Sequence, residues 1–295
     1  MEAGFLNIKK PLDWTSYKVI SELSKISGIK KMGHSGTLDP FATGVLVVGI
    51  NNATRLLEYI ESDKTYIAEV TFGIETDTDD ITGKVIKESS IIPSLKEIES
   101  KLKDFTGKIL QKPPAYSALK INGQRAYKLA RNNSLTKEDI KERIVEVYSL
   151  KLVSHLANKV KLEIHCSSGT YIRSIARDLG KQLNSCAVLS NLVRTKVGSF
   201  FRLEEGTEID KVTKQNFKDF IIPAEAVIKF NKLCFNEKQA SDLICGKMVN
   251  LNNQFYPDCS ENLKFQILDN NNALIAIAEL REGSKVYPLK VFHRI

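Results

Sequence analysis

The densest chemistry-bearing segment is Gly33-His34-Ser35-Gly36-Thr37-Leu38-Asp39-Pro40-Phe41-Ala42-Thr43-Gly44. Its glycines, proline and small hydroxyl residues describe a structured loop that runs into the apolar stretch Val45–Ile50. No Lys-Ser/Thr pair follows the last glycine, so it is not a phosphate-binding P-loop. Pro40 pushes Asp39 out of the helical region. A carboxylate held in this way can react. It can also be a turn aspartate satisfying nearby backbone N–H groups, and spacing alone favours the turn.

A second cluster, Cys166-Ser167-Ser168-Gly169-Thr170-Tyr171-Ile172-Arg173, lies where a strand meets a helix. An arginine there can pair with a partly buried carboxylate, which unpaired would lose several kcal/mol to desolvation. As a surface residue beside a helix start, Arg173 would be mildly misplaced against the helix dipole, which hints at a partner. The acidic run Glu75-Thr76-Asp77-Thr78-Asp79-Asp80 fails as a calcium loop. Counted from Asp77, its fifth and sixth positions are Ile81 and Thr82, where an oxygen ligand and a glycine are needed. A turn between strands is the better reading. The histidines His34, His155, His165 and His293 show no i, i+4 pairing and no cysteine at metal-ligand spacing, so no metal site is expected, and His165 reads as an exposed strand residue.

The elements that must position these residues follow from periodicity. Ser16–Ser27 reads as a helix, with Thr15 or Ser16 as cap, Val19, Ile20, Leu23 and Ile26 on one face, and Gly28 as stop. Thr65–Phe72 and Val160–Cys166 alternate as half-buried strands, and Ser174–Leu183 repeats Ile175, Leu179 and Leu183 at helical spacing. Strands outnumber helices without regular βαβ alternation, so the fold class expected is α+β. After about Pro223, short apolar segments (Leu263–Leu268, Ala273–Leu280, Val286–Phe292) separated by Asn, Asp and Gly clusters suggest a small, mainly-β module.

The chain has 295 residues, enough for about two domains at roughly 150 each. No apolar run approaches the roughly 20 residues of a membrane span, and the N-terminus lacks a signal-peptide pattern. Five cysteines (Cys166, Cys186, Cys234, Cys245, Cys259) include no C-x-x-C pair, so a reduced cytoplasmic protein is expected. The net charge of +8 is unevenly placed. Lys108, Lys112, Lys120, Arg125, Lys128 and Arg131 stand in a stretch with no acidic residue, beside Tyr116 and Tyr127. That pattern suits a surface that meets nucleic-acid phosphates and stacks bases; the alternative is a solvated lysine-rich loop.

Together these segments resemble the TruB family of tRNA pseudouridine-55 synthases. The stretches that carry the resemblance are Lys10-Pro11 to Ser16, Gly33 to Leu46, Lys64-Thr65-Tyr66, Thr76-Asp77-Thr78-Asp79, Pro113 to Lys120, Cys166 to Gly180 and Leu192 to Phe200. They occur in the family's order. The resemblance implies a catalytic domain over 1–228 built on a mixed, mostly antiparallel sheet flanked by helices and loops. It also implies a tRNA-binding insert at 108–148 and a small PUA-like domain over 229–295.

The implied activity is isomerisation of uridine to pseudouridine in the T-loop of tRNA, by a monomer that needs no cofactor, metal or membrane. Asp39 would be the essential carboxylate, which attacks the ribose, adds to the base or removes a ribose proton. Arg173 would hold it ionised, and Tyr66 would stack on the flipped uracil near the C5 proton. Tyr171 and Leu192 would wall the base pocket, and His34 would fill the gap left in the RNA stack. Lys112, Lys120, Lys128 and Arg131 would meet the T-arm. Asp13, Val193, Asn132-Asn133 and Ser35 depart from the family's usual residues. The competing readings are a non-catalytic tRNA-binding chaperone and a synthase acting on another RNA.

Overall fold

A computed structural model of the chain describes residues 3–117, 119–121, 123–132, 134, 139–251, 263–282 and 284–292. Its first half runs β1 (Gly4–Lys10), α1 (Ser16–Ser27), β2 (Met32–His34), β3 (Thr43–Ile50), β4 (Lys64–Phe72), β5 (Ile74–Thr76), β6 (Val85–Glu88) and α2 (Leu95–Leu102). There follow β7 (Gly107–Gln111), β8 (Lys120–Ile121), β9 (Gln124–Arg125), α3 (Ala126–Arg131), β10 (Arg143–Leu156), β11 (Lys159–Cys166), α4 (Ile172–Gln182) and β12 (Ala187–Val197). Short strands β13 (Phe201–Arg202), β14 (Thr207–Glu208) and β15 (Ile222–Pro223) lead to α5 (Ala224–Val227).

These strands form one large sheet in the order β14-β1-β3-β12-β4-β11-β10-β7, with β2, β13 and β15 attached to it. Only β1–β14 and β3–β12 run parallel, so the sheet is mixed and mostly antiparallel, and the fold is α+β as expected. Alternation explains its buried face. Tyr66, Ala68 and Val70 of β4 and Leu162, Ile164 and Cys166 of β11 pack with Leu38, Ile175, Leu179 and Leu192 in one apolar cluster.

The helix over Ser16–Ser27 is present with the expected bounds. Thr15 is its cap, accepting from the Lys18 N–H, and Gly28 ends it at φ 75°. This frees Ser16 for another task, described below. The second helix begins at Ile172, two residues earlier than periodicity suggested, so Arg173 lies in its first turn. The expected insert 108–148 starts and ends inside the main sheet. Residues 107–111 pair antiparallel with 143–147, so the excursion from the sheet spans 112–142.

The last part of the chain forms a second sheet. It contains β16 (Asn231–Cys234), α6 (Glu237–Ile244), β17 (Val249–Asn250), β18 (Leu263–Leu268), β19 (Leu274–Arg281) and β20 (Lys285–Val291), with strand order β16-β18-β19-β20-β17. Ile277 and Phe292 from this part share an apolar cluster with Phe5, Val45, Val47 and Val197 of the main sheet. Among the described residues no helix is long and apolar enough to cross a membrane. Cys259 and His293 lie outside the described residues.

One backbone contact sets the exit of the Asp39 loop. Gly44 has φ +107°, and a Cβ placed there would stand 2.2 Å from the Arg194 carbonyl oxygen on β12. Only glycine permits β3 to leave the loop so close to β12. Gly44→Ala is expected to cost at least about 2 kcal/mol of stability, lowering the urea midpoint at unchanged slope.

Candidate active site

The loop between β2 and β3 is clamped from both sides of Asp39. Ser16 Oγ accepts from the Leu38 N–H (2.9 Å) and approaches the Leu38 carbonyl (3.3 Å). The Pro40 carbonyl accepts from the Asp13 N–H (2.9 Å) and from Lys10 Nζ (3.1 Å). Lys10 is itself buried and spans to the Pro11 and Trp14 carbonyls. Burial pulls its ammonium down to about 8, against the opposing pull of Asp39 and Asp13. The Asp39 peptide is thus fixed by three different elements while its side chain stays 32% exposed.

Arg173 meets that side chain from α4. Nη2 donates to Asp39 Oδ1 at 3.0 Å, and Nε stands 2.9 Å from Oδ2 as an ion-pair contact, its N–H not aligned for a hydrogen bond. The same guanidinium reaches the carbonyls of Thr78 (2.9 Å) and Tyr116 (3.0 Å) and the carboxylate of Asp80 (3.3 Å). Asp80 is held in turn by Thr78 Oγ1 and the Thr82 N–H. One helical turn on, Arg177 pairs with Asp79 at 2.7 Å. The acidic turn between β5 and β6 therefore anchors two arginines spaced i, i+4 on α4. Burial raises the Asp39 carboxyl above its ordinary range; Arg173 is the main opposing influence, and Asp80 adds to the rise.

Asp39, Tyr66, Arg173, His34, Tyr171 and Leu192 all line one cavity of about 1100 Å³. Tyr66 is buried on β4, directly across from Arg194 on β12, and burial raises its phenol so that it keeps its proton at neutral pH. Tyr171 caps α4, with its backbone N–H and C=O bound by the Gln111 side chain (2.8 and 3.1 Å) and its ring under the Arg143 guanidinium. His34 Nδ1 accepts from the Gly36 N–H, and burial lowers its pKa.

The basic residues expected to meet RNA lie on the excursion from the sheet. Lys112 offers its carbonyl to Ser174 Oγ and Arg177 Nη2, bracing the start of the excursion against α4. Lys120 lies on β8, and Lys128 and Arg131 on α3; their side chains fall outside the described residues. Lys112 is not among the described residues that line the cavity, whereas Tyr116, Ser117, Leu119 and Arg143 of the same region are. His165 is not a free strand residue, since its Nε2 is 2.8 Å from Asp63.

A family model described as TruB family pseudouridylate synthase (N terminal domain) matches residues 24–172. The chain belongs to the TruB family. The protein described as tRNA pseudouridine synthase B of Borreliella afzelii (strain PKo) is 42% identical over 254 residues, covering 85% of this chain and 88% of that protein. The protein of the same description from Clostridium novyi (strain NT) is 37% identical over 276 residues, covering 93% and 94%. A solved structure, the H/ACA RNP bound to a substrate RNA containing 2′-deoxyuridine, superposes with a TM-score of 0.71 at 22% identity. It covers 99% of this chain and 85% of that one, a likeness of fold.

Four residues of this TruB-family site were not singled out from sequence: Asp80, Lys10, Lys64 and Arg194. Arg194 had a usable signal, because it stands two residues from Leu192 on a strand and so shares its face. Lys10 and Lys64 lay within matched stretches but carried no spacing that marks chemistry. Arg173→Lys replaces a fork that serves two carboxylates by a single point charge. Because Arg173 opposes the rise of the Asp39 carboxyl, its loss is expected to raise that group further. The acid limb of the pH–rate profile then moves to higher pH, measured under single-turnover conditions.

Proposed function

We propose that this chain isomerises uridine to pseudouridine in tRNA, at position 55 of the T-loop, with Asp39 as the essential carboxylate. The observation that carries this reading is a carboxylate clamped on both sides, paired with a buried arginine and opening into the same cavity as Tyr66. A protein that only bound tRNA would have no use for that arrangement, which leaves an aspartate and an arginine away from bulk water.

The reaction breaks the C1′–N1 bond, turns the uracil and joins C1′ to C5; C5 loses a proton and N1 gains one, so no electrons are exchanged with a cofactor. Arg173 keeps Asp39 ionised and aimed while the base is out of the RNA stack. Unstacking costs a few kcal/mol, which apolar and aromatic walls such as Leu192, Tyr171 and Tyr66 offset. The excursion over 112–142, with Lys112, Lys120, Lys128 and Arg131, meets the T-arm. The C-terminal part over 229–295, which contains the second sheet, is a PUA-like RNA-binding module. The identity of the curated relatives and the net positive charge support both assignments.

The test is tritium release from unmodified tRNA carrying C5-tritiated uridine, with the modified position mapped by chemical blocking and primer extension. Asp39→Asn keeps size and hydrogen-bonding shape but removes the charge. Turnover is expected to fall below detection while tRNA affinity stays within about tenfold, roughly 1.4 kcal/mol. Residual turnover above a few per cent would remove Asp39 from the chemistry.

Tyr66 separates stacking from proton transfer. Tyr66→Phe keeps the ring and deletes the hydroxyl, so it is expected to bind tRNA normally and turn over at least about a hundredfold more slowly. Tyr66→Leu should also weaken capture of the base, since base–aromatic stacking contributes about 1–3 kcal/mol. Full activity in the Phe variant alone would make Tyr66 a stacking platform only.

A further inference from the structure

Two buried cations in the cavity have no role in the account above. Arg194 is only 1% exposed and leads the fully buried side chains by size; Lys64 is 5% exposed. A buried cation is costly unless a carboxylate faces it. Arg194 instead donates to carbonyls, from Nε to Val45 (2.7 Å) and from Nη2 to Gly36 (3.1 Å), and to the Tyr66 hydroxyl. Lys64 Nζ donates to the Ser62 carbonyl. Among the described residues no carboxylate forms an ion pair with either, and the neighbouring Asp63 is engaged with His165. Burial first, and then the adjacent Arg194, bring the Lys64 ammonium down to about 8.

The two head groups converge on one point. A Cβ built on Gly36 would stand 3.7 Å from Arg194 Nη1 and 3.9 Å from Lys64 Nζ. A side chain at position 36 would fill the space between the charges. Glycine leaves it open, and Gly36, Lys64, Tyr66, Leu192 and Arg194 all face the same cavity. Two buried cations that form no ion pair among the described residues flank this point and make a seat for negative charge.

Depth in the cavity selects the ligand. The Asp39 side chain is 32% exposed, whereas the cations are as deeply buried as Tyr66 and Leu192, the walls proposed for the base. A backbone phosphate stays with the ribose on the Asp39 side; the base reaches further. Uracil arrives neutral. When the C1′–N1 electron pair departs with the ring, or when Asp39 adds to the ring, negative charge spreads to the carbonyl oxygens. The charge is discharged as C1′–C5 forms, C5 loses its proton and N1 is protonated.

We propose that Lys64 and Arg194 form an oxyanion seat above Gly36 that holds a carbonyl oxygen of the uracil while the base is anionic. This rests on reading the site as one that makes pseudouridine. Donors fixed in advance at a site of developing charge stabilise it without reorganisation.

The experiment compares wild type, Lys64→Met and Lys64→Arg in full-length protein. Tritium release by the wild type tests the reading of the site; if the wild type is silent, that reading fails before the seat is reached. With an active wild type, Lys64→Met should slow the single-turnover step by about a hundredfold or more. Its tRNA affinity should stay within about twofold of wild type. The salt dependence of binding should be unchanged, and the melting temperature should equal or exceed that of wild type, because a buried charge has gone. Lys64→Arg, which keeps the charge, should recover much of the rate.

Three results would overturn the seat. A salt slope reduced by about 1, with the bound complex reacting at the wild-type rate, would mean a phosphate contact. An unchanged rate in Lys64→Met would mean no role. Equal slowing in both variants with a lower melting temperature would mean a structural lysine.

Discussion

A single guanidinium holds the site together. Arg173 stands between Asp39 and Asp80, two acids that repel each other and would each be poorly hydrated where they lie. Its five donors also reach the carbonyls of Thr78 and Tyr116, so one side chain joins the Asp39 loop, the β5–β6 turn and the start of the excursion. A guanidinium can do this because it is planar and forked; an ammonium of the same charge could serve one acid at a time. The position of α4 follows from the same demand. Its first turn must face the acids, although a cation there opposes the helix dipole by a few tenths of a kcal/mol, far less than two unpaired carboxylates would cost.

Charges of both signs meet at the Asp39 loop. The acids and Arg173 occupy the side of the Asp39 loop, where Lys10 secures the Pro40 carbonyl. Arg194, which donates to the Gly36 carbonyl of the same loop, lies close to a Tyr66 phenol that keeps its proton and a His34 whose imidazole resists protonation. In a medium of low polarisability, oriented charges of this kind act more strongly than they would in water.

Much of the scaffold was readable from local pattern. α1 had its cap, stripe and stop within fourteen residues, and β4 and β11 alternated through their buried faces. α4 was read two residues late because Tyr171, its cap, makes no side-chain capping bond that would mark the start. The insert boundaries missed β7 and the beginning of β10, whose outward Leu110 and Ile144 remain exposed and hide the strand signal.

At the site, spacing alone favoured a turn aspartate at Asp39; the family resemblance supplied its reactive reading and those of Tyr66 and Arg173. Asp80 and Lys64 were unread for a physical reason. Their importance comes from partners on other strands and turns, and no local periodicity encodes it.

The distance along the chain between Asp39 and Arg173 has a consequence for synthesis. The two are 134 positions apart, and Asp80 lies between them. As the chain leaves the ribosome, both acids emerge well before the arginine that neutralises them, and β4 emerges long before β11 and β12, its neighbours in the sheet. Until those strands arrive, the Asp39 loop has neither its charge partner nor the wall that carries Arg194. A nascent chain stopped before α4 would expose apolar strand edges and hold two acids in repulsion, a natural substrate for chaperones. Competence for chemistry is therefore acquired late and nearly all at once, so a partly made chain has little opportunity to capture an RNA and act on it wrongly.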